Sequence, residues 1–380
     1  MKLLLLKYGE IALKGKNRRF FENQLITNIK ERLLGYDYKL ENIKGRIYVH
    51  YEDPQVPLIL KDTFGLVEVC LCERVELNLK SLEEMIFTML STYELSGKSF
   101  KIESRRSNKG YFMTSPELSK HLGGFVLNSF PQLRVDVHNP DILVEVEVRE
   151  LFYVYIERHR ALGGMPLGTA GKAVQLMSGG IDSPVAAYQM ARRGVNILPL
   201  HFQAQPFTSE ESLEKVRTLV RKLSYYMGDM SFYHINLLES QQLIRENCDE
   251  KYFTILQRRL MTKLAVGLAK KEKALALVTG ENLAQVASQT MEGINCTNDA
   301  SDRPIFRPLI SFDKEDIVKI AKKIDTYETS ILPFADACTV FLPSRVETRP
   351  KLKDVLAEEA KVDQEELYQL AWQTLVKEKL

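Results

Sequence analysis

The sequence predicts an α/β protein, with a doubly wound parallel sheet in its C-terminal half and α+β segments ahead of it. Three observations carry this. From residue 173 onward, short apolar runs alternate regularly with helical periodicity, the pattern of a parallel sheet covered on both faces. The run Val174-Gln175-Leu176-Met177 ends abruptly in Ser178-Gly179-Gly180-Ile181-Asp182-Ser183, and Pro184 then opens a helical stretch. Before residue 160, Val144, Val146 and Val148 alternate with Glu145, Glu147 and Arg149, which predicts half-buried antiparallel strands.

Along the chain, residues 3–6 read as a strand that leads through a loop to a helix over 18–34. In that helix Phe21, Leu25, Ile29 and Leu33 recur at every fourth position. Residues 45–50 form a return strand, and Asp53-Pro54 with Pro57 marks a boundary. Helices at 81–95 and 115–127, the second capped by Ser115-Pro116-Glu117, flank a strand at 99–104. Strands at 143–148 and 152–157 follow, and the glycine-rich stretch 161–172 reads as a linker. Beyond it, strands at 173–177, 196–202, 231–235 and 274–279 alternate with helices near 184–193, 210–227 and 252–271, which places sites at the carboxyl ends of the strands. Residues 315–323 are helical, 293–304 a loop, and 351–380 a charged amphipathic helix.

A chain of 380 residues accommodates roughly two to three domains of ~150 residues and can bury a core without staples. Net charge is +2, which neither requires nor excludes nucleic acid. The charge is uneven, however: the first fifty residues hold eleven Lys/Arg against five Asp/Glu, with Lys14, Lys16, Arg18 and Arg19 together. Lys98, Lys101, Arg105, Arg106 and Lys109 form a second cluster. Both are candidate phosphate-contacting patches, and both could equally be solvated faces. The five cysteines are odd in number with no C-x-x-C pair, and Met1-Lys2 plus four leucines is too short for a signal segment, so a reduced, cytoplasmic protein is expected. No run approaches the ~18 apolar residues of a membrane span.

The stretch 178–183 is a strand–loop–helix phosphate cradle. Backbone N–H groups freed by the turn and the helix N-terminus would face an anion. The glycines let the backbone approach it, and Pro184 sits at the first helical position, where its missing N–H costs nothing. It is not a Walker A loop: the nearest candidate has Pro166 for the first glycine and Ala173 after Gly171-Lys172. It matches S-G-G-x-D-S, the pyrophosphate (PP) loop of ATP-pyrophosphatases, which split ATP between its α and β phosphates. A βα turn with a chance glycine pair is the plain alternative.

Further stretches point the same way. They are Tyr8-Gly9-Glu10-Ile11-Ala12-Leu13-Lys14-Gly15-Lys16-Asn17-Arg18, Val135-Asp136-Val137-His138-Asn139-Pro140-Asp141, Thr279-Gly280-Glu281-Asn282-Leu283-Ala284-Gln285 and Phe306-Arg307-Pro308-Leu309-Ile310-Ser311-Phe312-Asp313-Lys314. With the PP-loop they resemble, in order and over nearly the whole chain, the tRNA 4-thiouridine synthetases (tRNA uracil 4-sulfurtransferases). The resemblance implies a ferredoxin-like domain over 1–54, a tRNA-binding THUMP domain over 55–160, the linker 161–172 and a PP-loop pyrophosphatase domain over 173–380. It further implies ATP-dependent thiolation of uridine 8 through an adenylated intermediate.

In that reading Ser178, Gly179, Gly180, Asp182 and Ser183 hold phosphates, and Asp182 is a candidate ligand for Mg²⁺. A helix N-cap, worth ~1 kcal/mol, is the plain role for Asp182. The family's adenosine contacts fall on Leu176, Met177, His201, Phe202, Arg258, Gly280 and Gln289, although Leu176 and Met177 could serve simply as sheet core. Lys314 becomes a charge clamp, otherwise a solvated helix lysine. Of Arg258 and Arg259, one should reach the ligand and the other lie on the surface. The basic residues Lys14, Lys16, Arg18, Arg19, Lys101, Arg105, Arg106 and Lys109 are the candidate tRNA contacts.

Sulfur has to arrive as a persulfide. Cys338 is the first candidate acceptor because it sits in a polar, Pro-flanked segment; Cys296 is the second. Cys70 and Cys72, on one strand face, are expected to be buried, and no resident metal centre is expected. Many family members have two adjacent cysteines where this chain has Ala337-Cys338, and some add a rhodanese-like domain, for which the sequence leaves no room after Cys338. A cysteine desulfurase is then the expected donor. A sulfur-carrier protein of thiamine synthesis and a homodimeric partner are further expectations from the family. The competing readings are an amidating ligase built on the same loop and a non-enzymatic tRNA-binding protein.

Overall fold

The computed structural model describes residues 2–380 except Lys44, Ala287, Ser288, Ala335, Asp336, Cys338, Thr339, Leu342, Ser344 and Arg345. Two compact units divide the chain, Met1–Gly164 and Met165–Leu380.

The first unit is built on an eight-stranded sheet. Its elements are β1 (Lys2–Tyr8), α1 (Arg18–Arg32), β2 (Tyr38–Ile43), β3 (Arg46–Tyr51), α2 (Gln55–Lys61), β4 (Leu66–Val75), α3 (Leu79–Leu90), β5 (Ser99–Arg106), α4 (Ser115–Ser129), β6 (Arg134–Val135), β7 (Ile142–Val148) and β8 (Phe152–Arg160). The strand order is β2-β3-β1-β4-β8-β7-β5-β6. The leucine run of β1 is buried on both sides, as an interior strand requires. Leu4 and Leu6 pack with Leu25, Ile29 and Leu33 from α1 and the residue after it, while Leu3 and Leu5 pack with Tyr48, Tyr153 and Tyr155.

Two expectations change here, and the boundary at Asp53-Pro54 acquires a local structure. The cap of α4 is Thr114, not Ser115: Thr114 Oγ1 accepts the Glu117 N–H and the Glu117 carboxylate accepts the Thr114 N–H at 2.8 Å. Asp53-Pro54 starts a helix, with Asp53 Oδ1 accepting the Gln55 N–H at 2.8 Å. Most notably, β7 pairs antiparallel with β8 but is not half-buried. Glu145 and Glu147 are 3% and 2% exposed, because basic side chains cover them. Arg158 donates to Glu145 at 2.8 Å; Arg46 and Arg149 donate to Glu147 at 3.1 and 2.9 Å. Burial would raise the Glu147 carboxyl, but the two arginines hold it below the usual value.

The second unit carries β9 (Lys172–Leu176), α5 (Asp182–Ala191), β10 (Asn196–Gln203), α6 (Glu210–Met227), β11 (Ser231–Asn236), α7 (Leu238–Asn247), α8 (Phe253–Glu272), β12 (Ala276–Val278), α9 (Met291–Asp299), β13 (Ile305–Phe306), α10 (Lys314–Lys323), α11 (Tyr327–Ser330), α12 (Leu352–Glu359), α13 (Gln364–Trp372) and β14 (Val376–Lys379). The sheet runs β13-β12-β9-β10-β11-β14. Its pairs are parallel except β11–β14. The chain goes from β9 to β10 and β11, then returns to β12 on the other side of β9. That reversal makes a topological switch point at the carboxyl end of β9, where ligands of such sheets bind.

The C-terminal thirty residues are not one helix. Asp363 caps α13 by accepting the Glu365 and Glu366 N–H groups, and the terminal residues instead extend the sheet along β11. The expected loop at 293–304 is largely helix α9, started by Thr290, whose Oγ1 accepts the Gly293 N–H at 3.1 Å. The stretch 161–172 is bonded at both ends rather than loose. Ala161 and Gly163 bond to Val67 and Leu66 in the first unit, while Met165, Gly168 and Ala170 bond to Arg192 and Gly194 in the second.

Candidate active site

A cavity of about 440 Å³ opens at the switch point of the second unit. Its floor is the loop after β9. Ser183 Oγ donates to the Ser178 carbonyl at 2.9 Å and accepts the Ser178 N–H at 3.0 Å, which folds the loop on itself. The Gly180 N–H turns in to Ser178 Oγ at 3.3 Å. α5 begins at Asp182 with Ile181 at the N-cap position, so Asp182 is not a cap and Pro184 is the third helical residue rather than the first. That position still needs no N–H, because the first four of a helix have no intrahelical acceptor.

The need for a residue without Cβ falls on Gly280, beyond the end of β12. A Cβ there would lie 2.8 Å from the Ser183 nitrogen and 2.9 Å from the Asp182 carbonyl carbon, both backbone atoms. Strand end and phosphate loop are therefore in direct contact. At Gly180 a Cβ would meet nothing closer than 3.5 Å.

Asp182 is held from two sides. Lys314, the first residue of α10, donates to Oδ1 at 2.6 Å, and Gln285 donates to Oδ2 at 3.1 Å. The ammonium of Lys314, the candidate charge clamp, pairs with Asp182 across 132 residues of sequence while the side chain stays 45% exposed. Leu176, Met177, Ser178, Asp182, Ser183, His201, Phe202, Arg258, Gly280 and Gln289 all line the cavity. The His201 ring is fixed by a 2.9 Å contact from Nδ1 to the Met177 carbonyl. Thr254, Gln257, Arg258, Met261 and Thr262 supply one face of α8, at the three-to-four-residue spacing of a helix.

Arg258 and Arg259 divide the work differently from expectation. Arg258 faces the cavity and pairs with Glu281. Arg259 is 2% exposed rather than on the surface. It donates to both Glu359 oxygens, at 3.1 and 2.9 Å, and to Asp299 at 3.0 Å, tying α8 to α9 and α12. Burial alone would raise the Glu359 carboxyl, but Arg259 and Lys263 hold it below the usual range.

Glu281 and Arg307 line the cavity and were given no role from sequence. The signal was present: each charged residue lies just beyond the carboxyl end of one of two adjacent parallel strands.

The cysteines separate clearly. Cys296 lies in α9, fully buried, with its thiol directed to the Pro350 carbonyl and burial pushing its pKa up, so a reachable thiolate in a loop is not what the fold builds. Cys70 is pushed up to about 12 by burial, and Cys72 also goes well up. Cys248 is partly buried and likewise raised by burial. Cys338 lies outside the described residues; its neighbour Ala337 lines the cavity, and the Ala337 carbonyl accepts from Gln241 at 3.0 Å.

The basic patches belong to the first unit. Arg18 is committed to Glu22 and Tyr8, while Lys16 and Arg19 are exposed and Lys14 sits over the Phe21 ring. Arg106 donates to the Tyr111 and Met113 carbonyls, and Lys101 and Arg105 contact Glu103, leaving Lys109 exposed. The patches flank β1 and β5, four strands apart in the sheet, or roughly 19 Å at ~4.8 Å per strand.

Comparison with known proteins fits this geometry. The family described as Thiamine biosynthesis protein (ThiI) matches residues 168–364, the ThiI ferredoxin-like domain matches 3–70 and the THUMP domain 76–157. The chain belongs to the ThiI family. A probable tRNA sulfurtransferase of Alkaliphilus oremlandii is 44% identical, covering 100% of this chain and 98% of its own. One from Alkaliphilus metalliredigens is 46% identical over 97% of this chain and 96% of its own. Among solved structures, a 4-thiouridine synthetase in complex with RNA and bound ATP superposes with a TM-score of 0.90 at 36% identity, covering 100% of both chains. A Pyrococcus horikoshii protein, TM-score 0.67 at 24% identity, covering 86% of this chain and 100% of its own, shares the fold. Within this ThiI-family chain Ser178, Asp182, Ser183 and Arg258 line one cavity, Lys314 pairs with Asp182 there, and the basic patches lie in the unit matched by the ferredoxin-like and THUMP domains.

Proposed function

We propose that the chain is an ATP-dependent tRNA sulfurtransferase that converts uridine 8 to 4-thiouridine. The observation that carries this is the cavity lined by Ser178, Asp182, Ser183 and Arg258, with Lys314 paired to Asp182, in a chain alike from end to end to a 4-thiouridine synthetase seen with RNA and ATP. A uracil oxygen is a poor leaving group, so it must be activated first. Its O4 attacks the α-phosphate, the N3 proton is lost and pyrophosphate leaves. The loop N–H groups and Lys314 bear the charge that develops on the phosphates. His201, Phe202 and the α8 face hold the adenosine. The terminal sulfur of a persulfide on Cys338 then attacks C4 and displaces AMP, leaving a C4–S–S–Cys338 disulfide that a second thiol, such as free cysteine, reduces to release 4-thiouridine while itself becoming a disulfide; Ala337 on the cavity wall is consistent with that role.

Asp182 supplies one carboxylate. That suits a magnesium ion bound chiefly through phosphate oxygens, which would neutralise the departing pyrophosphate. No cluster of three or more metal-ligating side chains occurs among the described residues. Lys14, Lys16, Arg19 and Lys109 contact tRNA phosphates in this reading, with Arg18, Lys101, Arg105 and Arg106 shaping the patches. A cysteine desulfurase loads Cys338 in the cytoplasm. Sulfur transfer to a thiamine carrier protein and a homodimeric assembly complete the reading.

The test is to incubate the protein with ATP, Mg²⁺, unmodified tRNA, a cysteine desulfurase and cysteine, and to follow thiouridine absorbance and AMP. Thiouridine should form, and Cys338→Ala should abolish it while tRNA-dependent pyrophosphate release, measured alongside, persists. Undiminished thiolation in that variant would overturn the role of Cys338. No thiouridine from the unaltered protein would overturn the function.

A further inference from the structure

Glu281 is 5% exposed, and a carboxylate buried to that degree is tolerated only when its charge is answered. Both oxygens are engaged. Oε1 takes the guanidinium of Arg258; Oε2 accepts Arg307 Nε at 2.6 Å and the Thr279 hydroxyl at 3.0 Å. Arg307 is itself fixed by Asn298 Oδ1 at 3.2 Å and the Ile305 carbonyl at 3.4 Å. Its Nη2 is buried with no partner among the described residues, and burial lowers its pKa. Glu281 also follows Gly280 directly, and Gly280 touches the backbone of Asp182 and Ser183. The carboxylate is therefore keyed to the phosphate loop through its own main chain.

We propose that Glu281 is a positioning residue that sets the Arg258 guanidinium at a fixed offset from the phosphate loop, with Arg307 locking the carboxylate from its other side. Two arginines share this one carboxylate, so Arg258, Arg307 and Glu281 together carry one more positive than negative charge on the cavity wall. This cluster shares the cavity wall with Ser178, Asp182 and Ser183. Arg258 alone, on a helix, would have several rotamers; the bracket selects one before ligand arrives, which reduces the ordering cost of binding. The proposal rests on the reading of this cavity as an ATP site.

The bracket predicts a particular energetic signature. In Glu281→Gln the amide keeps the side-chain volume and one acceptor oxygen but loses the charge that fixes Arg258. Affinity for a non-hydrolysable ATP analogue, measured by titration calorimetry, should fall about ten- to a hundredfold. KM for ATP should rise in step, with kcat and KM for tRNA little changed. Arg258→Gln should cost a similar amount, and the double variant Arg258→Gln/Glu281→Gln should be no worse than Arg258→Gln, because Glu281 has nothing left to position. Arg307→Lys, which keeps the charge but not the fork, should fall between the unaltered protein and Arg307→Gln. If Glu281→Gln proves unstable on thermal melting, Glu281→Asp supplies the same cycle. Additive losses in the double variant, or a fall in kcat with KM for ATP unchanged, would overturn the bracket alone. An unaltered protein that binds no ATP analogue would overturn the site reading and the bracket with it.

Discussion

At Gly280 one added methyl group would be driven into the backbone of the phosphate loop, against atoms 2.8 and 2.9 Å away that cannot rotate aside. Gly280→Ala should therefore lower ATP-dependent AMP formation by about a hundredfold, and cost roughly 1–3 kcal/mol of stability from overpacking. Equilibrium urea denaturation alongside the activity assay checks both; full activity would mean that the loop yields. Arg259 makes the opposite case, a charge near the site whose role is cohesion. Arg259→Ala leaves Glu359 buried against Lys263 only, and should cost about 3–5 kcal/mol in denaturant melts. Replacing Arg259 and Glu359 together by Met and Leu should recover most of that loss. The adjacent arginines show what sequence can carry at this scale: a pair on one helix was visible, but which one faces the cavity depends on helical phase against elements far along the chain. The loop's place was legible because Ser-Gly-Gly-Ile-Asp-Ser between an apolar run and a helical one marks a strand–loop–helix turn, whatever lies far along the chain. Glu281 and Arg307 were not, because their meaning comes from strand adjacency.

Elements governed by local pattern matched expectation where one force dominated. The βα alternation from Lys172 to Val278 is set by apolar periodicity, and the predicted strands and helices fall within a few residues of their places, although α7 (Leu238–Asn247) was not foreseen. Patterning misled where tertiary partners changed the balance. In β7, alternating glutamates suggest a wet face, yet arginines on β3 and β8 and just beyond β7 turn it into an interior. In the C-terminal segment, a charged stretch that could have stayed helical is drawn into the sheet. There, Arg217 donates to both Glu378 oxygens, at 2.9 and 2.8 Å, and His234 Nε2 lies 3.0 Å from the same carboxylate. Burial depresses His234 below its usual 6.5 despite Glu378. Below that pH the unfolded chain takes up a proton that the folded ring resists, so this contribution to stability is lost as pH falls through about 6.5. Glu378, held below 4.5 first by Arg217, adds a second loss as pH falls below that value. Amide exchange at Val376–Lys379, corrected for intrinsic rate, should show weaker protection near pH 5.5 than near pH 7.5; the reverse order would contradict the assignment. His234→Gln should flatten the upper step.

For the whole molecule, the proposed contact of the basic patches with tRNA would make RNA affinity a matter of counterion release. The logarithm of the association constant for tRNA should fall linearly with the logarithm of salt concentration, and Lys16→Ala or Lys109→Ala should each reduce the slope by about one. Filter binding at several salt concentrations checks this, and a flat dependence would remove phosphate contact from the account. One feature of the first unit reaches beyond the finished protein. β4 lies at the middle of the eight-stranded sheet, hydrogen-bonded to β1 on one side and to β8 on the other. During synthesis its first partner is already made when β4 appears, but its second is not. At ribosomal speeds of ~5–20 residues per second, the roughly eighty residues between Val75 and Phe152 take about four to sixteen seconds to appear. Throughout that interval a nascent chain holding β2, β3, β1 and β4 presents an open strand edge, the feature by which sheets recruit wrong partners. The amino-terminal half is thus most exposed to misassembly while it is still being translated, and the arrival of Phe152–Arg160 ends that exposure.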